Sequence, residues 1–171
     1  GLEFKKPLGI AAGLDKNADY IDMLFALGFG FVEVGTVTPK PQPGNAKPRL
    51  FRIPKKNSLI NRMGFNNKGV DYLVKRLQQR KSKGIVGVNI GKNKHTPIER
   101  AVDDYLYCLK RVYSVADYIV INISSPNTAD LRQLQHHSTL DAFINQIMQC
   151  CHELAEHYHK KKPLLVKLSP D

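Results

Sequence analysis

The stretch YIVINISSPN, Tyr118–Asn127, decides the fold, because it carries an apolar strand directly into a cluster of hydrogen-bonding side chains. Its first half is rich in β-branched residues, which is typical of a strand buried on both faces of a sheet. Asn122 stands inside that apolar half, where turn chemistry does not explain an amide. A buried amide without a partner costs about 1–3 kcal/mol, so this strand is expected to end at a polar ligand.

Four other stretches repeat the pattern of an apolar strand that ends in glycine and polar residues. They are GIAAGLDKN, FVEVGTVTP, IVGVNIGKNK and LLVKLSPD. Segments with helical spacing of apolar residues separate them, which predicts an α/β fold of parallel strands and crossover helices. We expect strands near 8–12, 31–34, 85–90, 118–123 and 163–169, and helices near 18–27, 69–81, 97–112 and 139–158.

Two architectures fit this alternation, a doubly wound sheet and a (β/α)8 TIM barrel. A barrel usually needs eight strands and about 250 residues, whereas the 171 residues of this chain contain five predicted strands. In the barrel alternative, about five β/α units are present and residues 1–171 form one incomplete barrel domain.

The longest irregular stretch covers residues 36–67 and contains five prolines. A loop of this length is uncommon unless it is functional or contains short strands of its own. We expect RLFRIP and SLINRMGF to be such strands, and the stretch to help enclose a site.

Charge and composition argue against several classes of function. The 26 basic and 15 acidic residues give a net charge of +11, but the basic residues are scattered and no nucleic-acid motif accompanies them, so we expect no nucleic-acid partner. No apolar run approaches the roughly 18 residues of a membrane span. The segment HELAEH places His152 and His157 five residues apart, where a shared metal needs four, so no metal site is expected.

The carboxyl ends of parallel strands meet at one rim of the sheet, where α/β proteins bind their ligands. Amides both donate and accept hydrogen bonds, and lysines attract anions. The rim therefore predicts a pocket for a planar, anionic, hydrogen-bonding ligand. The residues expected there are Gly13, Lys16, Gly35, Thr36, Asn89, Gly91, Asn122, Ser125, Asn127 and Lys167.

Seven motifs, in their order along the chain, resemble the quinone-dependent (class 2) dihydroorotate dehydrogenases. They are GIAAGLDKN, VEVGTVTPKPQPGNAKPRLFR, NRMGFNN, VNIGKNK, DDYL, NISSPNT and VKLSPD. The resemblance implies the N-terminal part of a (β/α)8 barrel. It also implies FMN-dependent oxidation of dihydroorotate to orotate in pyrimidine synthesis, with a quinone as electron acceptor.

The resemblance assigns roles to individual positions. The flavin-binding positions are Ala12, Gly13, Lys16, Thr36, Asn89, Asn122 and Lys167. The orotate-binding positions are Lys16, Asn61, Arg62, Met63, Gly64, Phe65, Asn122 and Asn127. Ser125 is the implied base, which takes a proton from dihydroorotate while hydride leaves for the flavin.

The family also has elements that we do not find in these residues, namely an N-terminal helical extension that contacts the membrane and the later barrel strands. Through the former, the resemblance implies peripheral association with the cytoplasmic face of a bacterial inner membrane, or with the mitochondrial inner membrane in a eukaryote. One local departure is NTADLR, where Ala129 and Asp130 replace the usual Pro-Gly. The alternative for the isolated chain is a non-catalytic fragment or binding scaffold.

Overall fold

The computed structural model describes residues 1–128, 131–135 and 137–169, and Ala129 and Asp130 lie outside these ranges. Seven strands and four helices follow one another along the described residues. They are β1 (Gly9–Ile10), α1 (Ile21–Ala26), β2 (Phe31–Val37), β3 (Leu50–Ile53), β4 (Ser58–Asn61), α2 (Val70–Gln79), β5 (Ile85–Ile90), α3 (Ala101–Val112), β6 (Tyr118–Asn122), α4 (His137–His157) and β7 (Leu164–Lys167).

The strand order of the main sheet distinguishes between the two predicted architectures. Five parallel strands lie side by side in the order β1-β2-β5-β6-β7, which is also their order along the chain. A doubly wound sheet reverses its strand order at a switch point, whereas neighbouring barrel strands follow in sequence. The five strands and the four helices that connect them therefore form part of a (β/α)8 barrel.

One face of this sheet packs against the helices. Val32, Val34, Val88 and Ile121 on that face are completely buried, and they belong to one hydrophobic cluster with apolar residues from α1 to α4. Alternate residues point to opposite faces of a strand, so the remaining positions of the same strands lie on the inner face. The inner face is where the polar strand residues gather.

A glycine on the inner face makes room for an aromatic ring. Glu33, Gly87 and Tyr118 lie in register on β2, β5 and β6. A Cβ atom on Gly87 would lie 2.1 Å from Cζ of Tyr118, so a side chain there would collide with the ring. Because Gly87 has none, the Tyr118 hydroxyl reaches across β5 to Glu33, at 3.3 Å.

The predicted element types are confirmed, but several boundaries are wrong. The second strand extends to Val37 rather than Val34, because residues 35–37 remain paired with β5 through a register shift. Gly35 makes this possible: its φ is +106°, and a Cβ there would lie 2.3 Å from the Asn89 carbonyl oxygen. The third helix begins at Ala101, after a short 3-10 turn at Ile98–Arg100, rather than at residue 97.

The irregular stretch contains the predicted pair of short strands. β3 and β4 form an antiparallel hairpin, in which Phe51 lies opposite Ile60. The hairpin is shorter than the two sequence segments suggested, since pairing stops at Leu50 and Asn61. The first strand of the main sheet is shorter as well, with only Gly9 and Ile10 paired instead of residues 8–12.

Candidate functional site

Three buried polar side chains from adjacent strands form the centre of the site. Thr36, Asn89 and Asn122 come from β2, β5 and β6, and all three are nearly inaccessible to solvent. The Thr36 hydroxyl donates to Asn89 Oδ1, and Asn122 Nδ2 donates to Thr36 Oγ1 at 2.9 Å and to Asn89 Oδ1 at 3.2 Å. These residues, predicted separately as flavin-binding positions, therefore contact one another directly.

Ser124 connects this centre to Lys167 on β7. Its hydroxyl donates to Asn122 Oδ1 at 3.0 Å and accepts a hydrogen bond from Lys167 Nζ at 3.0 Å. Ser125, the second serine of NISSPN, was a predicted site residue, whereas Ser124 was not. The position of Ser124, two residues after a buried Asn, could have indicated it. Ser124 is buried, whereas Ser125 is partly exposed.

Glu33 completes the polar group at the opposite end and was not predicted either. Its Oε1 accepts a hydrogen bond from Asn89 Nδ2 at 2.9 Å, and its Oε2 accepts one from the Tyr118 hydroxyl. Burial, followed by the nearby Glu33 carboxylate, raises the pKa of Tyr118 well above its ordinary value. The phenol therefore stays protonated and remains a donor to Glu33.

The loop after β1 brings Lys16 beside β2. The Gly13 amide donates to the Gly35 carbonyl at 2.8 Å, and the Gly35 amide donates to the Asp15 carbonyl at 3.2 Å. Burial, and secondarily the positive charge of Arg49, lowers the pKa of Lys16. Across the described ranges, the Lys16 ammonium makes no hydrogen bond or ion pair that would offset this cost. An anionic ligand would supply the missing partner.

The loop after β6 contacts the last residue of the hairpin and the segment before it. Asn127 Nδ2 donates to the Asn61 carbonyl at 3.4 Å, and Asn45 Nδ2 donates to the Asn127 carbonyl at 3.2 Å. Within the loop, the Asn127 amide donates to Ser125 Oγ at 3.2 Å. Thus Ser125 and Asn127 lie in the same region of the molecule as Asn61, which is 66 residues from Asn127 in the chain.

The remaining predicted orotate positions, at 62–65, have different side-chain environments. Arg62 donates to the Pro48 carbonyl at 2.9 Å and lies over the Phe51 ring, and the Phe65 ring is buried in the hydrophobic cluster. Met63 and Gly64 contact Asn45 and Gln42 through their backbone carbonyls, at 3.0 and 3.1 Å. These four residues therefore shape the loop.

Two neighbouring asparagines, Asn66 and Asn67, differ in whether their side chains find hydrogen-bond partners. Asn67 is buried and its side chain bonds to Thr38, Phe65 and Gly69. By contrast, Oδ1 of Asn66 is buried without a hydrogen-bond partner among the described residues. A ligand N–H or a water molecule would satisfy Asn66.

A sizeable cavity is lined by residues other than this polar group. It measures about 620 Å³ and is formed by the loops at residues 39–44 and 93–97 and the start of α3. None of the predicted site residues lines it. Its charged side chains include Arg100 and Asp103, which pair with each other at 2.9 Å.

The described residues contain no cluster of three or more histidine, cysteine, aspartate or glutamate side chains suited to a metal ion. The donors that gather at the strand ends are amides, hydroxyls and lysines, which suit organic anions better than divalent metals. Their position on the inner face, at the carboxyl ends of parallel strands, defines the class of protein: a ligand-binding (β/α) barrel.

Comparison with known proteins makes the assignment specific. The family model described as dihydroorotate dehydrogenase matches residues 1–171, and the chain belongs to this family. It is 59% identical to the dihydroorotate dehydrogenase (quinone) of Coxiella burnetii (strain Dugway 5J108-111), covering 100% of this chain and 49% of that protein. It is 58% identical to that of Acinetobacter baylyi, covering 100% of this chain and 51% of the relative.

Solved structures agree with this assignment. The crystal structure of DHODH from Eimeria tenella in complex with ferulenol has a TM-score of 0.89 and 44% identity, covering 100% of this chain and 51% of that one. The ligand-free type from the same organism has a TM-score of 0.85 and 43% identity, covering 98% and 52% of the two chains. The chain thus spans about half the length of the relatives it matches.

Proposed function

We propose that this chain contributes the FMN- and orotate-binding residues of an enzyme that oxidises dihydroorotate to orotate in de novo pyrimidine (UMP) biosynthesis, with a quinone as electron acceptor. The observation that carries the proposal is the buried inner-face group of Thr36, Asn89 and Asn122, together with Lys16 on the loop that bonds to Gly35, whose ammonium has no hydrogen-bond partner among the described residues. The family, and the relatives named as quinone-dependent enzymes, support the same reaction.

The described residues suit FMN, a flat group whose edge alternates hydrogen-bond donors and acceptors. Asn122 uses both amide hydrogens and both acceptor positions of its side chain within the protein. Among the described residues, Asn89 uses only one of its two amide hydrogens, on Glu33, which leaves the other for a ligand acceptor. Ala12, Gly13, Lys16, Thr36 and Lys167 complete the proposed flavin positions. When bound, FMN would supply the hydride acceptor.

For dihydroorotate and orotate, the proposed contacts are Lys16, Asn61, Asn122 and Asn127 together with the segment 62–65, and Asn122 would exchange one of its hydrogen bonds within the protein for one to the substrate. A lysine ammonium suits the carboxylate of the substrate, and amides suit the pyrimidine edge. Because the side chains of Arg62 and Phe65 are engaged elsewhere, and their backbone carbonyls accept hydrogen bonds within the protein, we expect these two residues to shape the substrate pocket.

Ser125 is the proposed catalytic base. A serine hydroxyl is a weak base, so it needs a fixed orientation and a site that excludes water. The hydrogen bond from the Asn127 amide to Ser125 Oγ supports the first requirement. The contact of its loop with Asn61 supports the second, since the segment around the hairpin would then lie beside the substrate.

A quinone acceptor implies a membrane location for the whole protein. No helix among the described residues is long and apolar enough to cross a bilayer. We propose peripheral association, on the cytoplasmic face of a bacterial inner membrane or on the mitochondrial inner membrane of a eukaryote, through a segment other than the described residues. The relatives' quinone dependence supports this location.

A second candidate concerns the 171-residue chain alone, namely a non-catalytic fragment or binding scaffold. The relatives named dihydroorotate dehydrogenase (quinone) favour the enzyme over this alternative. Adding FMN and recording the visible absorption spectrum separates the two. Retained flavin together with orotate formation supports the enzyme, whereas a folded chain that retains no flavin supports the scaffold.

The proposed base is tested in protein that retains flavin. Ser125→Ala is expected to lower the rate of dihydroorotate oxidation at least about 100-fold, the usual contribution of a general base, with the flavin spectrum unchanged. Ser114→Ala, at an exposed position on the surface, is the matched control. Turnover of Ser125→Ala equal to that of the control contradicts the assignment.

A further inference from the structure

Four hydrogen bonds cross the inner face of the sheet in a single donor-to-acceptor direction. Lys167 Nζ donates to Ser124 Oγ at 3.0 Å, and Ser124 Oγ donates to Asn122 Oδ1 at 3.0 Å. Asn122 Nδ2 then donates to Asn89 Oδ1 at 3.2 Å, and Asn89 Nδ2 donates to Glu33 Oε1 at 2.9 Å. We call this series the inner-face chain.

The two ends of the inner-face chain differ from its middle. A lysine ammonium can only donate and an ionised carboxylate can only accept, whereas a serine hydroxyl and an asparagine amide do both. The Ser124 hydroxyl and the Asn122 and Asn89 amides could therefore form this series of hydrogen bonds in either direction. Lys167 and Glu33 remove that freedom, because each forces its neighbour to present one kind of atom.

We propose that Glu33 is a positioning residue, which determines which atom of the Asn89 side chain faces the bound ligand and, through Asn89, holds the orientation of the Asn122 amide. If the Asn89 amide turned over, its Oδ1 would meet the Glu33 carboxylate, and its Nδ2 would meet Asn122 Nδ2. Both contacts would be unfavourable, the first between two acceptors and the second between two donors. The orientation fixed by Glu33 leaves one Asn89 hydrogen for the ligand.

The surroundings of Glu33 hold the carboxylate in place. The Tyr118 hydroxyl donates to its second oxygen at 3.3 Å, and the Phe4 ring lies edge-on to Phe31 and Tyr118, with centroids 5.0 and 6.5 Å away. These rings limit access of water to the half-buried carboxylate. Low local polarity strengthens the Glu33–Asn89 hydrogen bond.

This role rests on the proposed function, since it concerns the ligand-facing atoms of the flavin site. It adds a residue that would not itself touch FMN or the substrate. Glu33 lies two residues before Gly35 on β2, on the same face of the sheet. It would act on the ligand through Asn89.

The first experiment uses side-chain amide signals in ¹H–¹⁵N NMR spectra of the ligand-free chain. Glu33→Gln keeps the size of the side chain but introduces a group that can donate as well as accept. We expect the signals of Asn89 and Asn122 to shift or split together. Glu156→Gln, the same substitution at an exposed site, should move neither. Asn122 signals that stay unchanged in folded Glu33→Gln overturn the proposal.

Wild-type protein provides a test that does not depend on the variant folding. Nuclear Overhauser contacts are expected between the Asn89 amide hydrogens and the Glu33 side chain. If the Asn89 hydrogens instead contact the Thr36 methyl and show no contact to Glu33, the amide has the opposite orientation and the proposal is wrong.

FMN titration then separates this inference from the proposed function. Absence of FMN binding in wild-type protein counts against the function and leaves the NMR result as the test of Glu33. If wild type binds FMN, we expect about tenfold weaker binding by Glu33→Gln, which corresponds to the loss of one oriented hydrogen bond. Equal affinities of Glu33→Gln, Glu156→Gln and wild type would refute the positioning role.

Discussion

Replacing Asn122 by leucine tests whether the buried polar group at the centre of the site is as fully satisfied as its geometry implies. Leucine has nearly the same shape as asparagine but forms no hydrogen bonds. The change removes four bonds, two donated to Thr36 and Asn89 and two accepted from Ser124. Thr36 and Asn89 still bond to each other.

The main loss falls on Ser124, whose amide and hydroxyl both lose their acceptor in a buried environment. A buried donor left unsatisfied costs about 1–3 kcal/mol. Two such donors, partly offset by the greater hydrophobicity of leucine, give an expected loss of about 2–4 kcal/mol in the free energy of unfolding. That is a large part of the roughly 5–15 kcal/mol of a typical domain.

Urea unfolding followed by circular dichroism measures this loss, provided that the slope against denaturant is unchanged. Asn145→Leu, at an exposed position of α4, is the matched control and should alter stability by less than about 0.5 kcal/mol. If Asn122→Leu is as stable as this control, the Ser124 amide and hydroxyl have other acceptors. That result would refute the claim that they depend on Asn122 Oδ1.

Two further substitutions test other parts of the site. Burial, and secondarily Arg49, lowers the pKa of Lys16 below its ordinary 10.5. At a pH between the lowered pKa of the folded protein and the 10.5 of the unfolded chain, the unfolded chain binds more protons. The unfolding free energy of the wild type, relative to that of Lys16→Met, should therefore rise as the pH increases through this range. Urea unfolding of both proteins at several pH values measures this, and a difference independent of pH contradicts it. Gly87→Ala places a methyl group against the Tyr118 ring and should cost about 1–3 kcal/mol of unfolding free energy. The cost should shrink in a Tyr118→Ala background, and equal costs in both backgrounds would argue against the predicted collision.

The element types were predictable because hydrophobic periodicity reports burial directly. Strands β5 and β6 appear in the sequence as apolar runs, and both are buried by helices on one face. The end of β2 was not predictable, since Gly35 and Thr36 look like turn residues. Only the three-dimensional pairing with β5 shows that they continue the strand.

For the candidate site, the sequence identified side chains at strand ends but not the contacts between them. Asn89 and Asn122 were recognisable because amides are unusual inside apolar strands. Glu33 was not, because a charged residue in a β-strand is commonly assigned to an exposed face. Its role depends on Gly87 and Tyr118, which lie in register with it on two other strands. Register between distant strands cannot be read from local patterns.

The hydrogen bonds at the centre of the site have a consequence for folding. Asn122 and its partner Thr36 are 86 residues apart in the chain, and Lys167 and Ser124 are 43 apart. Contacts between distant residues form only after the cost of closing the intervening loops has been met, and parallel strands pair slowly for this reason. We therefore expect the buried polar group to be completed late in folding, when β7 docks and Lys167 reaches Ser124.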